Sequence, residues 1–326
     1  MTLTKNRLAL LTVGMTAVYF TLFMFLPESV VGARAENMLL YISKVLFLGM
    51  GASVTTASVL ILIYKKEFIR WQMESFNRFK HLLRLLVKRD FVSRYRKSML
   101  GVLWSLLNPL LTMLVITMVF SFIFNRSIDN FPVYLLSGQL IFHFFTESTT
   151  RAMNSVIGHQ AIIRKVYIPK YIFPLSSVLS SLVNVLFSLI AFILVFIFTR
   201  APFHWTILLV PIPMLYTFVF SLGVAMILSS LAVFFRDLTY LYGVFTTLLM
   251  YLTPLFYPTD ILPPRVLTLI GLNPMYHFVD YFRSLALRGT VPGLWANMVC
   301  FAFSMAALCC GVYIFMINQD RYYLYF

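Results

Sequence analysis

Three ionisable residues stand at helical spacing inside an otherwise apolar run: His143, Glu147 and Arg151, at i, i+4 and i+8. One helix face carries all three. Such a row can line a substrate path, act in gating, or close on itself as a structural pair. Glu147 and Arg151, four apart, suit the pair. A charge at mid-bilayer costs roughly 2.5–3.5 kcal/mol, so the row must face protein or water. A proton-coupled carrier needs a relay of such groups, and only Glu147 lies deep in an apolar run.

The chemistry that is missing is as informative. There is no G-x-x-x-x-G-K-[ST] loop to cradle ATP, no H-E-x-x-H, no G-x-S-x-G and no Asp-x-Asp cluster. The cysteines, Cys300, Cys309 and Cys310, show no metal or disulfide spacing. The halves of the chain show no internal repeat of the kind many secondary carriers have. Energy for any transport must therefore come from another chain.

The elements that position the charged row are membrane helices. Of 326 residues, 60% are hydrophobic and 11% charged, with mean hydropathy +0.87. A soluble domain carries about 25% charged residues, so a soluble globule, a disordered tail and a nucleic-acid binder are excluded. Eight stretches approach the ~20 apolar residues a span needs: 8–26, 41–64, 102–124, 133–151, 171–199, 206–235, 238–257 and 293–317. None shows the alternation of a barrel strand. The expected fold is all-α and polytopic.

With the N-terminus in the cytoplasm, the 26 Lys and Arg divide 19 inside to 7 outside, satisfying the positive-inside rule. Both termini are then cytoplasmic. The +15 net charge thus marks orientation. Lys5, Arg7 and the Ala33-Arg34-Ala35 triplet imitate a secretory signal, but the run Leu8 to Leu26 exceeds the usual signal core and is read as a retained span.

Three connections stand out. Residues 65–100 are basic, with Phe76, Phe79, Leu83 and Leu86 at helical spacing. This pattern predicts an amphipathic helix in the cytoplasmic headgroup layer or against a partner. Residues 156–170 mix Arg164, Lys165 and Lys170 with Ile162, Ile163, Val166 and Tyr167, and exposed apolar side chains in a cytoplasmic loop seek a partner or the headgroups. Residues 254–292 hold six of 14 prolines around two apolar runs too short to span, which read as re-entrant or interfacial helices on the outer side.

The run LLRLLVKRDFVSRYRKSMLGVLWSLLNPLL (82–111) resembles the start of permease subunits of bacterial type-2 ABC exporters of O-antigen, capsular polysaccharide or teichoic acid. IIRKVYIPKYIFPLSSV (162–178), VFFRDLTYL (233–241), TPLFYP (253–258) and LNPMYHFVDYFRSL (272–285) agree in order and spacing, over about residues 76–320. The resemblance implies an interface helix over 67–100, with Arg84, Lys88, Arg89, Asp90, Arg94 and Arg96 toward an ABC ATPase, followed by a six-helix transporter domain over 101–326. It implies ATPase coupling by Gly158, His159, Arg164, Lys165, Val166, Tyr167 and Pro169, and at a second contact by Arg236 and Asp237. The proline-rich segment resembles an outer gate, including Pro263, Pro274, Tyr276 and Phe282. The first two spans, within 1–66, are additional to that core.

On this reading the chain is a homodimer in a bacterial inner membrane, paired with two copies of an ATPase that holds ATP and Mg. It binds no cofactor itself and contacts lipid, a lipid-linked glycan and no nucleic acid. Aromatic faces suit a sliding sugar polymer, and Trp104, Tyr134, His143, Phe144, Glu147, Arg151, Tyr251 and Phe256 are the expected path. Three alternatives are an exporter of drugs or small lipids, a secondary flippase, and a polytopic glycosyltransferase. The last would need an outward carboxylate from Glu28, Glu36, Asp129, Asp260 or Asp280.

Overall fold

The computed structural model describes residues 66–96, 99–124, 128, 130–166 and 168–325. The runs 8–26 and 41–64, residues 1–65 of the 1–66 unit, and Tyr167 lie outside the described residues. Those described form helices and turns without strands. A 30-residue helix, α1 (Lys66–Tyr95), occupies the basic segment. After it come α2 (Leu103–Phe124), α3 (Phe131–Met153), α4 (Ile172–Phe198), α5 (Pro211–Phe234) and α6 (Leu238–Leu252). Two short helices follow, α7 (Pro264–Gly271) and α8 (Pro274–Ala286), and then α9 (Leu294–Asn318).

Among the described residues, four helical segments are long and apolar enough to cross a bilayer: Leu103–Phe120, Ile172–Phe198, Trp205–Phe234 and Leu294–Arg321. The polar row interrupts the hydropathy of α3, although its 23 residues reach about 34 Å. At 15 residues, α6 is short for a span.

Local sequence explains the boundaries. Proline occupies the first turn of α3, α5, α7 and α8, where a missing N–H costs nothing. Asn273 caps α8, its side chain accepting from the Met275 amide at 2.9 Å while its Nδ2 donates to Thr253 Oγ1 at 2.9 Å. The end of α6 is thereby tied to the start of α8. Between α3 and α4 the chain makes two single-turn helices, Ser155–Gly158 and Gln160–Ile163, and no longer element.

Packing is tightest where α5 meets α9. A Cβ on Gly223 would stand 2.2 Å from the Ala307 carbonyl carbon, and one on Gly311 would stand 2.2 Å from the Gly223 oxygen. Small residues let the backbones touch, which drives helix association where lipid supplies no hydrophobic force. Polar bonds flank the contact: Ser304 Oγ donates to the Tyr216 carbonyl at 2.8 Å, and Asn318 Nδ2 donates to Ser230 Oγ at 3.1 Å. Gly223→Val is expected to cost about 3 kcal/mol or more, because the obstacle is backbone and no rotamer relieves it. Thermal unfolding in detergent measures this, with Gly243→Val, which meets open space, as the control.

The main core joins α3, α4, α5 and α8 through residues such as Phe144, Phe145, Phe192, Phe220, Phe278 and Phe282. The apolar face of α1 is not left for lipid: Leu83 and Leu86 are buried with Val156, Ile163, Ile172 and Phe173. The amphipathic pattern of α1 is legible in the sequence. That protein covers its apolar face follows from the fold.

Candidate functional site

A cavity of about 570 Å³ opens among α1, α2, α3 and α4. On α2, its wall is Trp104, Ser105, Asn108, Pro109 and Thr112. Pro109 has no N–H, so the Ser105 carbonyl loses its helical donor on this wall. The α3 wall includes Gln139, His143, Phe144 and Glu147, and the α4 wall includes Asn184, Ser188 and Phe192. Phe256, from the loop after α6, also lines it and stacks on Phe120 at 6.1 Å. Aromatic rings beside amides and hydroxyls offer stacking faces and hydrogen-bond donors together.

At one end of this cavity a single carboxylate gathers three helices. Glu147 Oε1 accepts from Arg94 Nη2 of α1, accepts from Asn184 Nδ2 of α4 at 2.8 Å, and lies 3.5 Å from Arg151 Nη1. Tyr95 donates its hydroxyl to Asn184 Oδ1 at 3.2 Å. Phe91 braces Tyr95 edge-on at 5.1 Å and stacks on Phe187 of α4 at 5.9 Å. The i,i+4 pair expected from sequence is present, but Arg94, 53 residues away, holds the carboxylate more closely. The family resemblance puts Arg94 toward an ATPase; the residue is exposed on α1, and its head group meets the carboxylate at the cavity. Nothing in the sequence marks that pairing. Asn184, a polar residue inside a long apolar run, is a readable signal.

Five of the eight expected path residues line the cavity: Trp104, His143, Phe144, Glu147 and Phe256. Arg151 joins through Glu147. Tyr251 is 63% exposed on α6, away from it. Tyr134 serves the opposite end, donating to the Tyr257 carbonyl at 2.9 Å.

Beside Tyr134 lies the residue that sequence reasoning missed. Arg283 of α8 is 4% exposed, and no acidic side chain is within ion-pair distance of it among the described residues. Its Nη1 donates to the Pro254 carbonyl at 2.7 Å, and its Nη2 to the Tyr134 and Leu255 carbonyls at 3.2 Å each. Nε donates to Ser137 Oγ at 3.3 Å, and the guanidinium lies 3.5 Å from the Tyr134 ring centroid. Planar guanidinium geometry makes this fan of donors attainable, where a lysine ammonium would not reach it. Gly138 makes room, since a Cβ there would stand 2.8 Å from Nη2. Arg283 thereby pins α8 and the 253–257 turn to the end of α3.

The other expected gate residues sit around this pin. Phe282 is fully buried edge-on to Phe192 at 5.3 Å, Tyr276 is half-buried against His277, Pro274 starts α8, and Pro263 is exposed before α7. His277 Nε2 donates to the Gly271 carbonyl at 2.7 Å, tying α8 to α7. Asp280, one of the carboxylates expected on the outer side, is bonded to Arg288 Nη2 at 2.8 Å.

At the opposite face, Gly158, Arg164, Lys165 and Val166 are exposed, as are Arg236 and Asp237 in the turn between α5 and α6. Pro169 is half-buried. Arg84, Lys88, Arg89 and Arg96 are exposed along α1, and Asp90 pairs with Arg89 at 3.2 Å. His159 connects the two elements. Its Nδ1 bonds the Ser155 carbonyl at 2.7 Å, which requires the proton there and leaves Nε2 to accept from Arg89 at 2.6 Å. The ring stacks on Phe173 at 4.7 Å.

A bundle of apolar helices with a polar-floored cavity, one pinned end and an exposed basic face defines a membrane permease. The chain belongs to the ABC-2 type transporter family, whose description matches residues 81–287. It is 30% identical over 211 residues to the O-antigen export system permease protein RfbA of Klebsiella pneumoniae, covering 64% of this chain and 82% of that one. A protein of the same name from Myxococcus xanthus is 29% identical, over 75% of this chain and 95% of its own length. The polysialic acid transport protein KpsM of Escherichia coli is 21% identical, over 72% and 92%.

Proposed function

We propose that this chain is the permease subunit of an ATP-driven exporter moving a lipid-linked cell-surface polysaccharide outward across the inner membrane. The carrying observation is the cavity: aromatic rings and uncharged hydrogen-bonding groups along its walls, with the paired charges confined to one end. A sugar polymer presents apolar ring faces and hydroxyls to such walls and can slide without being fixed at any one position. Relatives named for O-antigen export and polysialic acid transport support the same cargo class.

In this reading α2, α3, α4, α5, α6 and α9 are the six spans of the transporter domain, 101–326, and two further spans in 1–66 make eight. The basic helix over 67–100 lies on the cytoplasmic side, as do both termini. Two copies of the chain form the path between them. Two ATPase subunits carry ATP and Mg and press on residues 158–169 and on Arg236 and Asp237. The segment from Pro263 to Phe282 caps the outer end.

The test is copurification with an ABC ATPase from the same cell. The solubilised protein is expected to retain it, and an Arg164→Glu, Lys165→Glu variant to lose at least about tenfold of that retention. A wild-type protein that retains no ATPase, or that transports glycan without one, overturns the proposal in favour of a secondary flippase.

A further inference from the structure

The chain's last described segment folds back under the bundle. After α9, residues 319–325 make a short turn and a helical turn, and Tyr322 is fully buried. Its ring packs against Phe315 of α9 at 5.7 Å and Phe234 of α5 at 5.8 Å. Tyr325 meets Phe234 edge-on at 4.8 Å. Phe234 stands directly before Phe235, Arg236 and Asp237, the turn assigned to the second ATPase contact.

From the other side comes Lys170, the residue after Pro169 at the end of the coupling segment. It is 7% exposed. Its Nζ donates to the Gln319 carbonyl and lies 5.5 Å from the Tyr322 ring centroid. Burial holds this amine below the ordinary lysine range, with the Asp320 charge opposing the shift. A lysine buried among aromatic rings at a cost in desolvation must be held by its contacts.

We propose that the C-terminal turn is a coupling element: the Lys170–Gln319–Tyr322 clasp joins the 158–169 segment to the 235–237 turn, so that the two ATPase contacts move as one body. This rests on the permease reading above. Lys170 and Tyr322 are positioning residues. Both are buried, and they act by setting the spacing between two exposed elements. With the clasp open, an ATPase stroke displaces one contact without the other, and hydrolysis proceeds without export.

The experiment uses the full chain with its ATPase, in cells for export and in detergent or vesicles for hydrolysis. Lys170→Met and Tyr322→Leu are expected to retain the ATPase and its turnover within about twofold, while export falls at least about tenfold. Tyr322→Phe keeps the ring, and Lys170→Arg keeps a cation; both are expected to export like wild type. If Lys170→Met and Tyr322→Leu export normally, the clasp has no role in coupling. Loss of export strictly in proportion to loss of folded protein makes it merely structural and also overturns the proposal. Should the wild type retain no ATPase, the permease reading itself fails and this inference with it. In either variant, a disulfide introduced between the 158–169 segment and the tail restores export if the clasp acts by spacing.

Discussion

Arg283→Met is expected to be among the most damaging single changes in the described part of the chain. It strips the Tyr134, Pro254 and Leu255 carbonyls of a shared donor and leaves Ser137 Oγ without its guanidinium partner. The Tyr134 carbonyl keeps Ser137 Oγ as donor and the Pro254 carbonyl keeps the Tyr134 hydroxyl, and each hydrogen bond lost from the charged group costs about 1.5–3 kcal/mol. Removing a desolvated cation offsets part of that, leaving a net loss of about 3 kcal/mol. A lysine at this position would satisfy one carbonyl and not the fan, so Arg283→Lys is expected to recover only part of the loss. Tyr134→Phe, which keeps the ring under the guanidinium and loses the bond to the Tyr257 carbonyl, is expected to cost about 1 kcal/mol. Thermal unfolding in detergent ranks the three. A methionine variant that unfolds like the wild type would show that α8 is held by its apolar packing alone. Because the pin joins α8 to α3, the same variant is expected to expose a cysteine placed at Phe282 to water-soluble thiol reagents.

The second large effect is expected at Glu147. In Glu147→Ala, Arg94 and Arg151 face each other with no carboxylate between them, and Asn184 loses its acceptor. The side chains of Arg94 and Glu147 are 28% and 19% exposed, so solvent screens part of the repulsion, and about 2 kcal/mol is the expected loss. Export is expected to fall at least about tenfold, since the carboxylate joins α1 to both walls of the cavity. Glu147→Gln keeps one acceptor for Asn184 and should lose less. A double-mutant cycle separates the partners: coupling of Glu147 to Arg94 is expected to exceed its coupling to Arg151. The reverse order would restore the local i,i+4 pair as the main contact and would remove α1 from the network.

Element type is largely legible in the sequence. The apolar runs at 102–124, 133–151, 171–199, 206–235, 238–257 and 293–317 each hold a helix, because lipid leaves an apolar backbone few other ways to pair its polar groups. The two runs between the outer prolines form α7 and α8, since proline is tolerated at a first turn and stops what precedes it. The motifs from 82 to 285 also point to the correct family, and the match over 81–287 covers nearly the same residues.

The site is legible only in part. Trp104, His143, Phe144, Glu147 and Phe256 line the cavity; helical periodicity puts His143 and Glu147 on one face, whereas Trp104 and Phe256 come from elsewhere in the chain. Tyr251 does not, since the aromatic positions around α6 look alike until their neighbours are placed.

What the sequence determined by itself is a membrane protein of amphipathic and apolar helices, its family and the row His143, Glu147 and Arg151. These follow from composition and from contacts between residues close in the chain. Only the tertiary structure decided that Arg94 rather than Arg151 holds Glu147 most closely, and that Arg283 has carbonyls for partners. It alone brought Lys170 to the turn that begins 149 residues later. A buried charge finds its partners by proximity in three dimensions, and periodicity says which face a residue occupies without saying what packs against that face.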